Sequence, residues 1–220
     1  MRVDIGDGRH LSYIEEGQGP PLVFTTGPTR STIDQDADRK LMSPYFRVIQ
    51  YDTRGCGDSD DADWYSLKEG AKDLLGLLKA LKIGPGEATI YGCSNGGVQT
   101  AVFGITYPEW PRAIVIDGSS THVNPIAAKN WRTWAEKTLI TGKEVMDAAN
   151  LLTDTKAPPQ GTGAAPQVTA PARASTKRYD LRGRFALLYE MSMLLDHPVT
   201  PLLNGVKCPA LFLHGADDKI

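Results

Sequence analysis

Long hydrophobic runs are what this 220-residue chain most clearly lacks. Its longest aliphatic stretches, such as Ala113-Ile-Val-Ile116, are strand-sized and far short of the ~20 residues a membrane-spanning helix needs. Charge of one sign is equally scarce. With 24 basic against 26 acidic residues the formal charge is −2, which sets up no basic field to gather nucleic acid or an anionic membrane surface. Cysteine is limited to Cys56, Cys93 and Cys208, widely spaced and without a C-x-x-C pair. That argues against a disulfide framework and a structural zinc site, and the three read as reduced, buried thiols. The first ten residues alternate polar and apolar instead of placing a basic end before an apolar block, so no secretory leader is visible and a cytoplasmic location is the expectation. A GxxxxGK phosphate loop, a GxGxxG turn after the first strand and a His-rich cluster are all missing, so nothing implies a metal or organic cofactor.

What is present alternates. Arg2 to Gly6, Leu11 to Glu15 and Pro21 to Thr26 read as strands separated by the turns Asp7-Gly8 and Gly17-Gln-Gly-Pro20, the first two linked as a hairpin. From the strand Phe46 to Tyr51 onward, strand and helix take turns, which predicts an α/β fold on a mostly parallel sheet. Ser66-Leu-Lys-Glu69 is a capping box, and Leu67, Ala71, Leu74, Leu78 and Leu81 recur at helical spacing up to Gly84-Pro-Gly86. Ala88 to Tyr91 is a short strand, Gly96 to Thr106 a helix stopped by Pro108, and Ala113 to Ile116 a strand of the doubly covered kind. Cys208 to Leu213 is the last visible strand.

Between about residues 120 and 205 the pattern turns helical, with patches at Asn130 to Ile140, after Thr141-Gly-Lys-Glu144, and at Arg182 to Leu195. Residues 157–175 hold six Ala, four Pro, two Gly and no acid, the composition of a flexible linker. The organisation expected is a core from 1 to 119, a helical insertion from 120 to 205 and a return to the core from 206 to 220. Trp131, Trp134, Leu139, Met146, Leu187 and Met191 are the expected packing residues of the insertion, which either caps one end of the sheet or forms a small second core.

The strongest chemical signal is Gly92-Cys-Ser-Asn-Gly96, directly after one strand and before one helix. A serine on such a turn stands clear of the backbone at the strand's C-terminal end, and flanking glycines relieve crowding. The following helix brings free N–H groups and its positive end beside Ser94, so Asn95 N–H is a natural oxyanion donor.

With these residues in place, the chain resembles the α/β-hydrolase superfamily over nearly its whole length, with the helical insertion where those enzymes carry a cap. Asp52-Thr-Arg-Gly-Cys-Gly-Asp-Ser59 resembles the family's D-x-R-G-x-G-x-S turn, in the variant of proline iminopeptidases, where Asp52 and Arg54 brace a loop. The resemblance implies Ser94 as nucleophile. Thr25-Thr-Gly-Pro28 stands where the family has HGG or HGGP and draws its second oxyanion donor. Aligned without a gap the donor position falls on Pro28, which has no N–H; shifted by one residue it falls on Gly27, the preferred assignment, with the Thr26 hydroxyl as a supplement. His214-Gly-Ala-Asp-Asp218 resembles the family's G-x-x-D, implying Asp218 as the triad acid, with Asp217 and Asp117 as alternatives.

The base histidine follows the acid in the family's chain order, and Ile220 comes two residues after Asp218, so it is expected beyond Ile220. His10, His122, His197 and His214 all precede the acid, and His214 reads as packing. The final strand and helix of the family pattern are likewise expected beyond this point. That leaves an open edge able to pair with another chain, homo-oligomerisation being one consequence.

The resemblance implies a serine hydrolase acting on a small to medium ester, lactone or amide, carboxylesterase first and a proline iminopeptidase-like peptidase or C–C bond hydrolase second. Haloalkane dehalogenases and epoxide hydrolases need Asp where Ser94 stands. A catalytically degenerate ligand-binding protein on the same fold is the reading from another class, marked by the altered Thr-Thr-Gly-Pro turn.

Overall fold

The computed structural model describes residues 1–25, 36–142 and 180–216. Seven strands form one sheet in the order β1-β2-β4-β3-β5-β6-β7. β1 (Arg2–Asp4) and β2 (His10–Glu16) pair as an antiparallel hairpin, and β2 runs antiparallel to β4 (Arg47–Tyr51). From β4 across β3 (Pro21–Thr25), β5 (Ala88–Cys93), β6 (Pro111–Asp117) and β7 (Ala210–Leu213) every pairing is parallel. Parallel strands share one C-terminal edge, so Thr25 pairs with Gly92 and Cys93 with Asp117, and Asp117 with Leu213. The ends expected to carry chemistry are therefore neighbours.

The parallel strands require crossover helices, and the sequence caps them well. α2 (Leu67–Ala80) begins at Ser66, whose hydroxyl accepts from Glu69 N at 3.1 Å. Leu74, Leu77 and Leu78, one face of that helix, are fully buried against the sheet residues Ile49, Ile90 and Ile114. Each contributes roughly 1.5–3 kcal/mol relative to exposure. α3 (Asn95–Thr106) packs on β5 and β6 through Val98, Ala101 and Phe103. A short helix α1 (Asp36–Met42), which the apolar pattern did not show, precedes β4. It is anchored by the buried guanidinium of Arg39, bonded to Glu16, Asp36 and Gln50.

Between β6 and β7 come α4 (Pro125–Thr141) and α5 (Leu181–Met193), packed on one another. α4 starts five residues before the expected Asn130, because Asn124 accepts from Ala127 N at 2.9 Å and Pro125 occupies the first turn. It ends at Gly142, whose φ of +63° is the left-handed cap conformation. Trp131, Trp134, Leu187 and Met191 are buried as expected, but Leu139 is 64% exposed because it lies at the end of α4, where residues 139–142 are all exposed. Met146, the helical patch after Thr141 and the 157–175 linker lie outside the described residues. A 3-10 turn, Thr200–Gly205, leads into β7, whose four residues are all exposed. Of the three thiols, none in a disulfide, Cys56 is buried while Cys93 and Cys208 are only half-buried, a correction to the expectation that all three are buried.

Candidate active site

Ser94 sits between β5 and α3 with φ +55° and ψ −125°. A side-chain-bearing residue is strained at such a positive φ, and Lys82 is the only other one among the described residues. The strain is held in place from both sides: Ser94 N donates to the Asp117 carbonyl at 3.0 Å, and Gly97 N donates to the Ser94 carbonyl at 2.9 Å. Ser94 is exposed, and its hydroxyl does not cap the helix.

Three glycines permit the turn. A Cβ on Gly92 would overlap the Gly96 carbonyl and Thr100 Oγ1; one on Gly96 would overlap the Thr25 carbonyl; one on Gly97 would overlap the side chain of Ser119. The glycines thus allow β3, β5 and α3 to approach more closely than side chains permit. Asn95 opens α3, and its N–H belongs to the first turn, where backbone donors lack partners within the helix. The start of α3 also places the positive end of the helix at this point.

Thr25 ends β3 beside Gly92, 1% exposed. Its hydroxyl lies 2.8 Å from the Gly96 carbonyl, 3.1 Å from the Tyr91 carbonyl and 2.7 Å from Thr100 Oγ1. The next residues, Thr26, Gly27 and Pro28, lie outside the described residues, as do Asp217 and Asp218. β7 ends at the same edge of the sheet, where Gly118 N donates to the Leu213 carbonyl at 2.9 Å.

Asp117 closes β6 and binds the Tyr91 hydroxyl at 2.5 Å. Burial, and then the adjoining Asp117 carboxylate, push the Tyr91 hydroxyl well above the ordinary phenol range, so it remains a donor at all working pH values. The Tyr91 hydroxyl occupies one of the two Asp117 carboxylate oxygens, Oδ2. All four histidines, His10, His122, His197 and His214, are exposed, and His10 lies beside Asp60 near the start of β2.

The turn after β4 is a brace. Ser59 Oγ donates to the Asp52 carbonyl at 2.6 Å, Asp58 N donates to the Asp52 carboxylate at 3.2 Å, and Arg54 forks onto Asp73 of α2. A Cβ on Gly57 would overlap the Asp52 carboxylate.

α5 meets the core at this brace. Asp180 N donates to the Gly55 carbonyl at 2.8 Å, Tyr65 donates to the Asp180 carboxylate at 2.5 Å, and Leu67 N donates to Glu190 at 2.9 Å. Tyr65 is pushed up to about 12 by burial and by Asp180. Burial raises Glu190 to about 7, the Leu67 N–H offsetting only part of the effect. A cavity of about 40 Å³ separates α5 from the core here, lined by Thr53, Arg54, Tyr65, Gln99 and Glu190 among others; Ser94 does not line it.

Thr100 and Glu190 gave no sequence signal as site residues, and Thr25 entered only as the first residue of the Thr25-Thr-Gly-Pro28 turn. A buried threonine in a strand reads as ordinary β-former, and an isolated Glu on a helix reads as a solvated face. The Asp180 cap two residues before Arg182 was the one legible clue. No group of three or more His, Cys, Asp or Glu able to hold a metal occurs among the described residues, and none of their helices is long and apolar enough to cross a membrane.

The family model for serine aminopeptidase, S33, matches residues 31–220. The chain belongs to this family, within the α/β-hydrolase superfamily. It is 25% identical over 221 residues to the human serine hydrolase BPHL, an alignment spanning 97% of this chain and 69% of that protein. It is 24% identical over 222 residues to the 2-hydroxy-6-oxo-6-(2'-aminophenyl)hexa-2,4-dienoic acid hydrolase of Metapseudomonas resinovorans, covering 97% and 73%. A hydrolase from Pseudomonas aeruginosa PA01 shares the fold with a TM-score of 0.73 at 22% identity, over 98% of this chain and 80% of that one. This S33-family chain is thus an enzyme, an α/β-fold hydrolase.

Proposed function

We propose that this hydrolase cleaves a small to medium carboxylic ester, lactone or amide through an acyl-enzyme on Ser94. The observation that carries the reading is the strained backbone of Ser94, φ +55°, at the junction of β5 and α3 on the shared C-terminal edge of the sheet. Strain of this kind persists only where the surrounding structure enforces it.

Ser94 Oγ attacks the substrate carbonyl while a histidine base takes its proton, and Asp218 holds that imidazole in the required tautomer and stabilises its charged form. The tetrahedral oxyanion is met by the N–H groups of Asn95 and Gly27. Collapse expels the alcohol or amine, and water, activated by the same histidine, releases the acid and regenerates Ser94. No cofactor enters these steps. Residues 120–205 act as a cap that shapes the pocket mouth over this edge.

Peptide cleavage is the second reading, favoured by the S33 family match and by Arg54-Gly-Cys-Gly57. Hydrolysis of 4-nitrophenyl esters set against amino-acid 4-nitroanilides discriminates the two. The nucleophile itself is tested by treating the full-length gene product and its Ser94→Ala variant with a fluorophosphonate probe, followed by intact mass. One adduct in the parent and none in the variant supports Ser94; an adduct in both, or in neither, overturns it.

A further inference from the structure

Thr25 occupies the last position of β3, after the buried apolar residues Val23 and Phe24, and is as buried as they are. Its hydroxyl carries a single proton, yet three oxygens surround it: the Gly96 carbonyl at 2.8 Å, the Tyr91 carbonyl at 3.1 Å and Thr100 Oγ1 at 2.7 Å. Donation to Gly96, the closer carbonyl, leaves Thr25 Oγ1 to accept from Thr100. The result is one directional chain, from the Thr100 hydroxyl to the Thr25 hydroxyl to the Gly96 carbonyl.

The surroundings leave this chain little freedom. A Cβ on Gly92 would overlap Thr100 Oγ1 and one on Gly96 would overlap the Thr25 carbonyl, so any side chain at either glycine would displace the chain. The chain therefore joins the end of β3 to the first two turns of α3, with Gly92 of β5 packed closely against it, the elements immediately around Ser94. An apolar pair would fill similar space, but dispersion has no direction, whereas a relay of hydroxyl bonds fixes one relative placement of strand and helix.

We propose that Thr25 and Thr100 are positioning residues that fix the first turn of α3, and with it the Asn95 amide that meets the oxyanion, against the end of β3. This rests on the reading of Ser94 as nucleophile. Neither threonine touches substrate; each acts through the backbone it fixes.

The test uses the full-length gene product with Thr25→Val, which removes the hydroxyl at nearly constant shape, Thr25→Ser, which keeps it, Thr100→Ala, and the Thr25→Val/Thr100→Ala double variant. Two readouts are taken: amide hydrogen exchange along residues 94–100 with α2 as internal reference, and the fluorophosphonate reaction resolved into a binding constant and a rate constant. The expectation is that Thr25→Val quickens exchange at Gly97, whose N–H is bonded to the Ser94 carbonyl, and slows the labelling rate constant, each by about tenfold or more, a change equivalent to one lost hydrogen bond. Probe binding and α2 exchange should stay unchanged. Thr25→Ser restores both readouts, and the double variant is no worse than Thr25→Val. Exchange and labelling in Thr25→Val within about twofold of the parent, or equal losses in Thr25→Ser, would overturn the proposal, as would faster exchange with undiminished labelling. If the parent takes no label, the nucleophile reading fails, and the positioning role in catalysis falls with it whatever exchange reports.

Discussion

Arg54 grips Asp73 through two parallel hydrogen bonds of 2.6 Å, Nε to Oδ2 and Nη2 to Oδ1, in a pair whose side chains are 6% and 3% exposed. Arg54 also donates to the Trp64 carbonyl at 2.7 Å and the Glu69 carbonyl at 3.4 Å and pairs with the Glu69 carboxylate at 3.3 Å, and Asp73 also takes Arg9 at 3.3 Å. The turn after β4 is thereby bolted to α2. Removing one partner strands the other charge in the interior, so Arg54→Ala and Asp73→Asn are each expected to cost about 3–5 kcal/mol. Arg54→Lys cannot fork onto both carboxylate oxygens and recovers only part of the loss. Urea unfolding of the three variants checks this ordering.

Glu190 supplies a pH dependence of definite sign. Its folded-state value, near 7, lies above the ordinary 4.5, so the packed state binds the proton more tightly than the unfolded chain. Its stabilising contribution is complete below about 4.5 and lost as pH rises through about 7. Glu190→Gln keeps an acceptor for Leu67 N and removes the ionisation. The variant should match the parent in melting temperature near pH 4.5 and exceed it above pH 7, with a difference on the order of 2–3 kcal/mol. Thermal melts of both proteins across that range measure the difference directly. Asp60, Glu69 and Asp180, whose values are lowered, drive the opposite trend in acid and are common to both proteins.

Much of the framework was readable because it rests on local rules. Ser66 and Glu69 announce α2, the period of its leucines marks the buried face, and Gly92 to Gly96 marks the turn at Ser94. What the sequence concealed depends on partners distant along the chain. Arg39 is buried in α1 only because Glu16 and Gln50 come from two strands to meet it. Leu139 read as packing because apolar residues recur along α4, but hydrophobicity alone does not say which part of the helix a neighbour covers. Thr25 and Thr100 are separated by 75 residues, and no spacing rule anticipates their contact. Gly27 and Asp218, assigned by resemblance, lie outside the described residues, so the geometry bears on Ser94 and Asn95 alone.

The α4–α5 contact provides a paired test of that point about Leu139. Trp134 is 6% exposed against Leu187, Leu188 and Met191 of the same core, whereas Leu139 is 64% exposed. Trp134→Ala should cost about 3–5 kcal/mol and Leu139→Ala less than about 0.5 kcal/mol. Equal costs in a thermal melt would contradict the observed orientation of α4.

Two glycines of α3 respond oppositely to the same substitution. Gly104 lies in the last turn of the helix, and an added methyl there would meet Val206 and Ile114 at 3.5–3.7 Å, ordinary contact distance. Alanine lowers the conformational freedom of the unfolded chain and fits the helix better, so Gly104→Ala should stabilise by about 0.5–1 kcal/mol. At Gly96 the same methyl would overlap the backbone carbonyl of Thr25, which no side-chain rotation can relieve. β3 and α3 must then separate, breaking the Thr25 bonds to Gly96 and Thr100, and Gly96→Ala should destabilise by about 3 kcal/mol or more. Because helix propensity favours alanine at both positions, only the closeness of the strand behind Gly96 can give the two variants opposite signs. A shift of both in the same direction on denaturant unfolding would mean that β3 does not approach α3 as closely as the Thr25 carbonyl and Gly96 α-carbon require.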